Sequence, residues 1–170
     1  MRNLNSVAPH PVRAEPFDKL RVNGGGSPIL VFGWGNASRG DDALGPLFIE
    51  QLRALALPGV ECLDDYQLQP EHALDLLGRA RVLFVDASLS CTPPFEATAV
   101  QPRRDASFSS HAMSPAALLQ AFVDVQGRAP PPATLLAIRG ERFALGEAIS
   151  EAARLNLAAA LAWAQANWLR

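Results

Sequence analysis

Four places along this 170-residue chain set carboxylates or an imidazole where an apolar run gives way to a polar one. The first is Gly33-Trp34-Gly35-Asn36 followed by Arg39-Gly40-Asp41-Asp42-Ala43-Leu44-Gly45, a glycine-rich turn that hands two carboxylates to the start of a helix. A helix dipole favours a carboxylate there, whether it acts on a ligand or simply caps the helix. The second is Asp64-Asp65-Tyr66-Gln67-Leu68-Gln69-Pro70-Glu71-His72, where acids follow a short apolar run and read equally well as a solvated turn. The third is Asp86, directly after Val82-Leu83-Phe84-Val85, in a position that suits a structural turn or a functional group. The fourth is His111, in the polar stretch Ser109 to Ser114, where a single loop histidine also fits a surface residue. Taken together, carboxylate oxygens with an imidazole suit nickel, zinc, iron or another borderline divalent ion better than magnesium.

Other chemistries lack their marks. A dinucleotide fingerprint starting at Gly33 would need glycine where Ser38 stands, and the acids that follow would repel a pyrophosphate. No Gly-x-Ser-x-Gly elbow, His-Glu-x-x-His helix or single cysteine-histidine signature occurs. A metal-assisted route remains open.

The elements that must carry these residues alternate between short apolar runs and amphipathic helices, the signature of an α/β sheet covered on both faces. Ile29-Leu30-Val31-Phe32 is the first strand, closed by Gly33. Leu44, Leu47, Phe48, Leu52 and Leu55 make one stripe and predict a helix from about Asp42 to Ala56. Val60 to Leu63 predicts a second strand, and Pro70 opens a helix containing Ala73, Leu74 and Leu77. Val82 to Val85 is a third strand ending in Asp86, and residues 95 to 100 a further one. Ser114 is the N-cap of a helix starting at Pro115 and carrying Leu118, Leu119 and Phe122. Thr134 to Ile138 is a buried strand, and Gly146 to about Trp168 an alanine-rich helix.

Composition narrows the class. With 49% hydrophobic against 19% charged residues, the chain can build a core of single-domain size. A net charge of −2 disfavours nucleic acid and anionic membranes as main partners. Cys62 and Cys91 are too few for a disulfide framework and form no C-x-x-C pair, which fits a reducing cytoplasm. The apolar C-terminal stretch is interrupted by Asn156, Gln165 and Asn167, so no membrane span is expected. No apolar segment of a secretory signal follows Met1-Arg2-Asn3. Residues 1–27, with scattered charge and Gly24-Gly25-Gly26, are expected to be a flexible arm. Within it, Pro11 to Gly24 resembles translated intergenic repeat sequence. The domain itself is expected over 28–170.

The sequence G-x-G-N, then R-G-D-D-A-L-G, a mid-chain acid after a strand, V-D-A, and S-x-H-x-x-S-P resembles the [NiFe]-hydrogenase maturation proteases from about Ile29 onward. The stretch Asp64 to Gln69 with Glu71, His72 and Asp75 is most similar to the branch serving soluble NAD-reducing hydrogenases. The resemblance implies a three-layer α/β/α fold with a twisted, mostly parallel sheet of about five strands. It implies a cytoplasmic endopeptidase that removes the C-terminal extension of the nickel-loaded hydrogenase large-subunit precursor. It also implies that Asp42, Asp86 and His111 engage the nickel, which the substrate brings. Gly35 and Asn36 would shape the turn, and Asp41 or Asp64 would assist nearby or move protons, with Gln67 on the substrate side. The family often has Glu at the place of Asp42, and Asp-Gly-Gly-Thr where this chain has Asp64-Asp65-Tyr66-Gln67. Two rival readings are a non-catalytic nickel-binding assembly chaperone and a peptidyl-tRNA hydrolase. The latter also opens on G-x-G-N but needs a histidine-bearing segment near Arg39 to Asp42 and a basic face, neither of which is present.

Overall fold

A computed structural model describes residues 28–105 and 113–170. The expected arm over residues 1–27, and His111, lie outside the described residues. Five strands form one sheet in the order β2-β1-β3-β5-β4: β1 Ile29–Trp34, β2 Val60–Asp65, β3 Arg81–Ser88, β4 Phe95–Val100 and β5 Ala133–Arg139. All pairs are parallel except β4 against β5. The expected mostly parallel three-layer α/β/α architecture is therefore present.

Alternation along the strands explains the layers, because successive side chains face opposite sides of the sheet. Val31, Leu83, Val85, Leu136 and Ile138 pack under helix α1 (Leu44–Ala54) and helix α3 (Glu151–Trp163). Leu30, Phe32, Trp34, Val82 and Phe84 pack on the other side, under helix α2 (Pro115–Gln126) and a 3-10 helix over Pro70–Leu76. Both faces are covered, as a parallel sheet requires. No helix among the described residues is long and apolar enough to cross a membrane.

Several expected boundaries are corrected. The helix expected from Asp42 starts at Leu44, because Gly40 to Ala43 form a 3-10 turn first. It ends at Ala54, and Ala56 then takes a left-handed φ of 46° that no helix continues through. The helix expected from Gly146 starts at Glu151: Gly146 has φ 81°, and Ser150 is the N-cap, accepting from the Ala153 amide at 3.1 Å. It closes in a π turn over Ala164–Trp168. The helix at Pro70 is 3-10 throughout. β2 runs two residues and β3 three residues beyond their apolar cores, so Asp64 and Asp65 lie within a strand rather than after it, and Asp86 lies two residues inside the end of its strand rather than at it. Ladder bonds to a neighbour extend a strand beyond its hydrophobic segment, and no periodicity records that.

Candidate active site

The carboxyl ends of the four parallel strands share one edge of the sheet, and the strand order turns at β1. From β1 the chain leads away to β2, and from β3 it leads away in the other direction to β4. Connections that diverge in this way leave a crevice between β1 and β3, the usual place for ligands in open α/β sheets. Asp42 enters it from the turn after β1, and Asp86 from β3.

Glycines bring the two together. A Cβ on Gly45 would stand 2.2 Å from the Trp34 carbonyl oxygen and 2.9 Å from that of Val85, so α1 can rest on the ends of both strands only with glycine there. Gly33 makes the reciprocal approach, where a Cβ would lie 2.5 Å from the Gly45 oxygen. Gly35 has φ 144°, and a Cβ would fall 2.0 Å from the Asp42 oxygen, which leaves glycine as the residue that fits. Its amide donates to the Asp65 carbonyl at 3.2 Å, tying the turn to β2.

Among the described residues, each of the two carboxylates is held by one backbone amide and is otherwise open. Asn36 N–H donates to Asp42 Oδ2 at 2.9 Å, and Ala87 N–H donates to Asp86 Oδ1 at 2.8 Å. Among the described residues no hydrogen bond reaches Asp42 Oδ1 or Asp86 Oδ2, and no cation pairs with either side chain. Burial pushes the Asp86 carboxyl up to about 7, against the Ala87 hydrogen bond and with further help from the charge of Asp42. A carboxyl so poised is shared between its acid and its base near neutral pH. Two carboxylates that offer one free oxygen each, with no cation beside them among the described residues, could hold a divalent cation, whose charge would relieve both the burial and the repulsion. Among the described residues no group of three His, Cys, Asp or Glu side chains converges, so any third donor has to come from elsewhere.

The other expected site residues are placed differently. Asp41, adjacent to Asp42, has no exposed surface, and its carboxylate accepts from Glu141 N, Arg142 N, Ser150 N and Ser150 Oγ at 2.7–3.0 Å. Burial acts to raise its pKa, but those donors outweigh it and hold the group below the ordinary carboxylate value. Donors aimed at the charged form favour a carboxylate that holds neighbouring backbone in place over one that gives up and takes a proton. Asp64 faces α1 and pairs with Arg53 at 2.5 Å. Asp65 faces the opposite side and pairs with His72 at 3.2 Å. Asn36 accepts from Ser38 N through Oδ1 and donates through Nδ2 to the Tyr66 hydroxyl at 2.8 Å, so Tyr66 stands beside the Asp42 turn. Gln67 follows it, half-buried, with no side-chain hydrogen bond among the described residues.

Sequence reading missed Ser150 and the β5–α3 connection. A serine followed by Glu151 and an alanine-rich helix is a recognisable cap, but placing the helix start at Gly146 concealed it. The role of the Glu141 and Arg142 amides left no sequence signal, since any residue carries an amide.

No protein-family model and no curated protein matches the sequence. Solved structures do. The [NiFe] hydrogenase maturation protease HycI from Thermococcus kodakarensis KOD1 is 24% identical with a TM-score of 0.65, covering 83% of this chain and 92% of that one. The hydrogenase maturating endopeptidase HybD from E. coli is 22% identical with a TM-score of 0.61, covering 82% and 94%. The hydrogenase 2 maturation peptidase from Thaumarchaeota archaeon SCGC_AB-539-E09 is 24% identical with a TM-score of 0.60, covering 84% and 99%. These likenesses establish a shared fold over nearly the full length of each relative.

Proposed function

We propose that this chain is an endopeptidase that removes the C-terminal extension of a nickel-loaded [NiFe]-hydrogenase large-subunit precursor during maturation. One observation carries the reading: Asp42 and Asp86 meet at the crevice of a maturation-peptidase fold, each with one oxygen pinned by an amide and one free.

Nickel enters with the precursor as part of the substrate, and Lewis acidity toward the scissile carbonyl or its water is the chemistry it brings. Asp42 and Asp86 hold the incoming ion through Oδ1 and Oδ2 respectively, with His111 as third donor. Asp86, with its pKa near 7, gives up the proton on its free oxygen as it takes the cation. Because the nickel arrives with the precursor in this reading, cleavage reports on metal insertion. The Asp64 to Gln69 segment supports the branch serving soluble NAD-reducing hydrogenases, and Tyr66 and Gln67 stand on the substrate side of the turn. The reaction is cytoplasmic in this reading, in keeping with Cys62 and Cys91 as free thiols.

Incubating the protein with a nickel-loaded large-subunit precursor, alongside a nickel-free control, tests this by intact mass. Loss of one defined C-terminal peptide from the loaded precursor alone is expected. Stable binding without cleavage would replace the endopeptidase with the nickel-binding chaperone.

A further inference from the structure

The turn that carries Asp42 has little to hold it from within. It is a single 3-10 turn, Gly40 to Ala43, with no side-chain cap at its own start. What fixes it comes from about a hundred residues later, along the connection between β5 and α3. Gly40 N donates to Glu147 O at 3.1 Å, Asp41 N to Arg142 O at 2.7 Å, and Gly146 N to Ser38 O at 2.8 Å. The Arg39 side chain adds a bond from Nε to Phe143 O at 3.2 Å.

At the centre of this seam lies Asp41. Its Oδ1 accepts from Ser150 N at 2.7 Å, and its Oδ2 accepts from Glu141 N at 2.8 Å, Arg142 N at 3.0 Å and Ser150 Oγ at 2.9 Å. Ser150 is also the N-cap of α3, so the carboxylate sits where that helix presents its positive end. The two segments are fitted closely: a Cβ on Gly40 would lie 2.5 Å from the Arg142 oxygen, and one on Gly140 would lie 2.8 Å from the Asp41 Cβ. Successive residues of a 3-10 turn point in different directions, so clamping Asp41 on one side sets where Asp42 points on the other.

We propose that Asp41 is a positioning residue, whose carboxylate, clasped by Glu141, Arg142 and Ser150, aims Asp42 into the crevice opposite Asp86. The seam gives the site rigidity that a free loop would lack. Acting through Asp42, it rests on the endopeptidase reading for its effect on cleavage, but the geometry itself can be read without any reaction. The Asn36 amide, bound to Asp42 Oδ2, reports that geometry directly.

The test compares the full chain with Asp41→Asn, Ser150→Ala, Ser150→Thr and, as a stability control, Leu52→Ala in the last turn of α1, where Leu52 is 1% exposed. Two readouts are taken: kcat and KM on the nickel-loaded precursor, and the amide proton shift of Asn36. Asp41→Asn sets an amide group against N–H donors and is expected to lower kcat by about tenfold to a hundredfold with KM nearly unchanged. The Asn36 amide should move upfield in the same variant. Ser150→Ala should give a smaller change in both readouts, and Ser150→Thr, which keeps the hydroxyl, should restore them. Leu52→Ala should lower the melting temperature yet leave kcat and the Asn36 amide in place. An unmoved Asn36 amide in folded Asp41→Asn would overturn the proposal, as would equal loss of kcat in Leu52→Ala. If Asp41→Asn does not fold, the serine pair decides alone: equal behaviour of alanine and threonine would overturn it. A wild-type protein that leaves the loaded precursor intact would sink the endopeptidase reading, and the Asn36 shift would still judge Asp41.

Discussion

Asp41 and Asp86 are both aspartates drawn out of water at one edge of the same sheet, and they answer burial in opposite ways. Asp41 meets four donors and is held below the ordinary carboxylate value despite complete burial. Asp86 meets one donor among the described residues, and its burial, helped by the negative charge of Asp42, pushes it up to about 7. Burial alone therefore does not mark a functional acid. The number of donors aimed at the charged form separates a carboxylate that holds the fold from one kept ready to take a cation or a proton.

The largest expected effects lie on the reactive side of this contrast. Asp42→Asn and Asp86→Asn keep size and lose charge, and each should reduce cleavage of the loaded precursor by about a hundredfold or more while the circular dichroism spectrum stays native. Retained cleavage in either variant would remove that residue from the site.

Next in size is the effect on stability, which should differ in sign. Asp41→Asn should destabilise the fold by about 2 kcal/mol or more at pH 7, because buried donors lose their acceptor. Asp86→Asn should stabilise it at pH 8, because the cost of a buried charge disappears. Urea unfolding of both variants checks this, and a shared sign would break the comparison.

The pH dependences should also run in opposite directions. Asp41, with its folded pKa lowered, contributes stability that is present above the ordinary carboxylate pKa and lost as pH falls through the folded value. Asp86, with its folded pKa raised, binds its proton more tightly when folded, so its contribution declines as pH rises from about 4 to about 7, by on the order of a few kcal/mol. Unfolding curves of wild type and Asp86→Asn across that window should diverge as pH rises, with wild type the weaker at the alkaline end.

The smallest change sharpens the cause. Because burial is the leading reason for the raised Asp86 value and Asp42 only adds to it, Asp42→Asn should lower the Asp86 pKa partway and leave it well above that of an exposed aspartate. A carboxyl-carbon titration by NMR measures this. A return to the ordinary value would make repulsion the main cause.

Much of the molecule was legible from the chain. Apolar runs such as Val82 to Val85 located the strands, because a doubly covered sheet needs side chains buried on both faces. The stripe from Leu44 to Leu52 located α1, and the glycines around it signalled a close approach. Acids at strand ends were visible too. Identical side-chain chemistry at Asp41, Asp42 and Asp64 gave no physical way to rank them, which only the family resemblance did, and a helix begun five residues early hid the cap at Ser150.

By itself, then, the sequence determined the alternation of strands and helices, the covered sheet and the roster of candidate acids, since periodicity and composition are local properties. Only the tertiary structure decided that Asp41 is locked by a segment about a hundred residues away, that Asp64 pairs with Arg53, and that Asp42 and Asp86 face one crevice with, among the described residues, an open oxygen each. The physical reason is that a carboxylate's function depends on which donors and charges surround it, and those arrive from parts of the chain that become neighbours only when it folds.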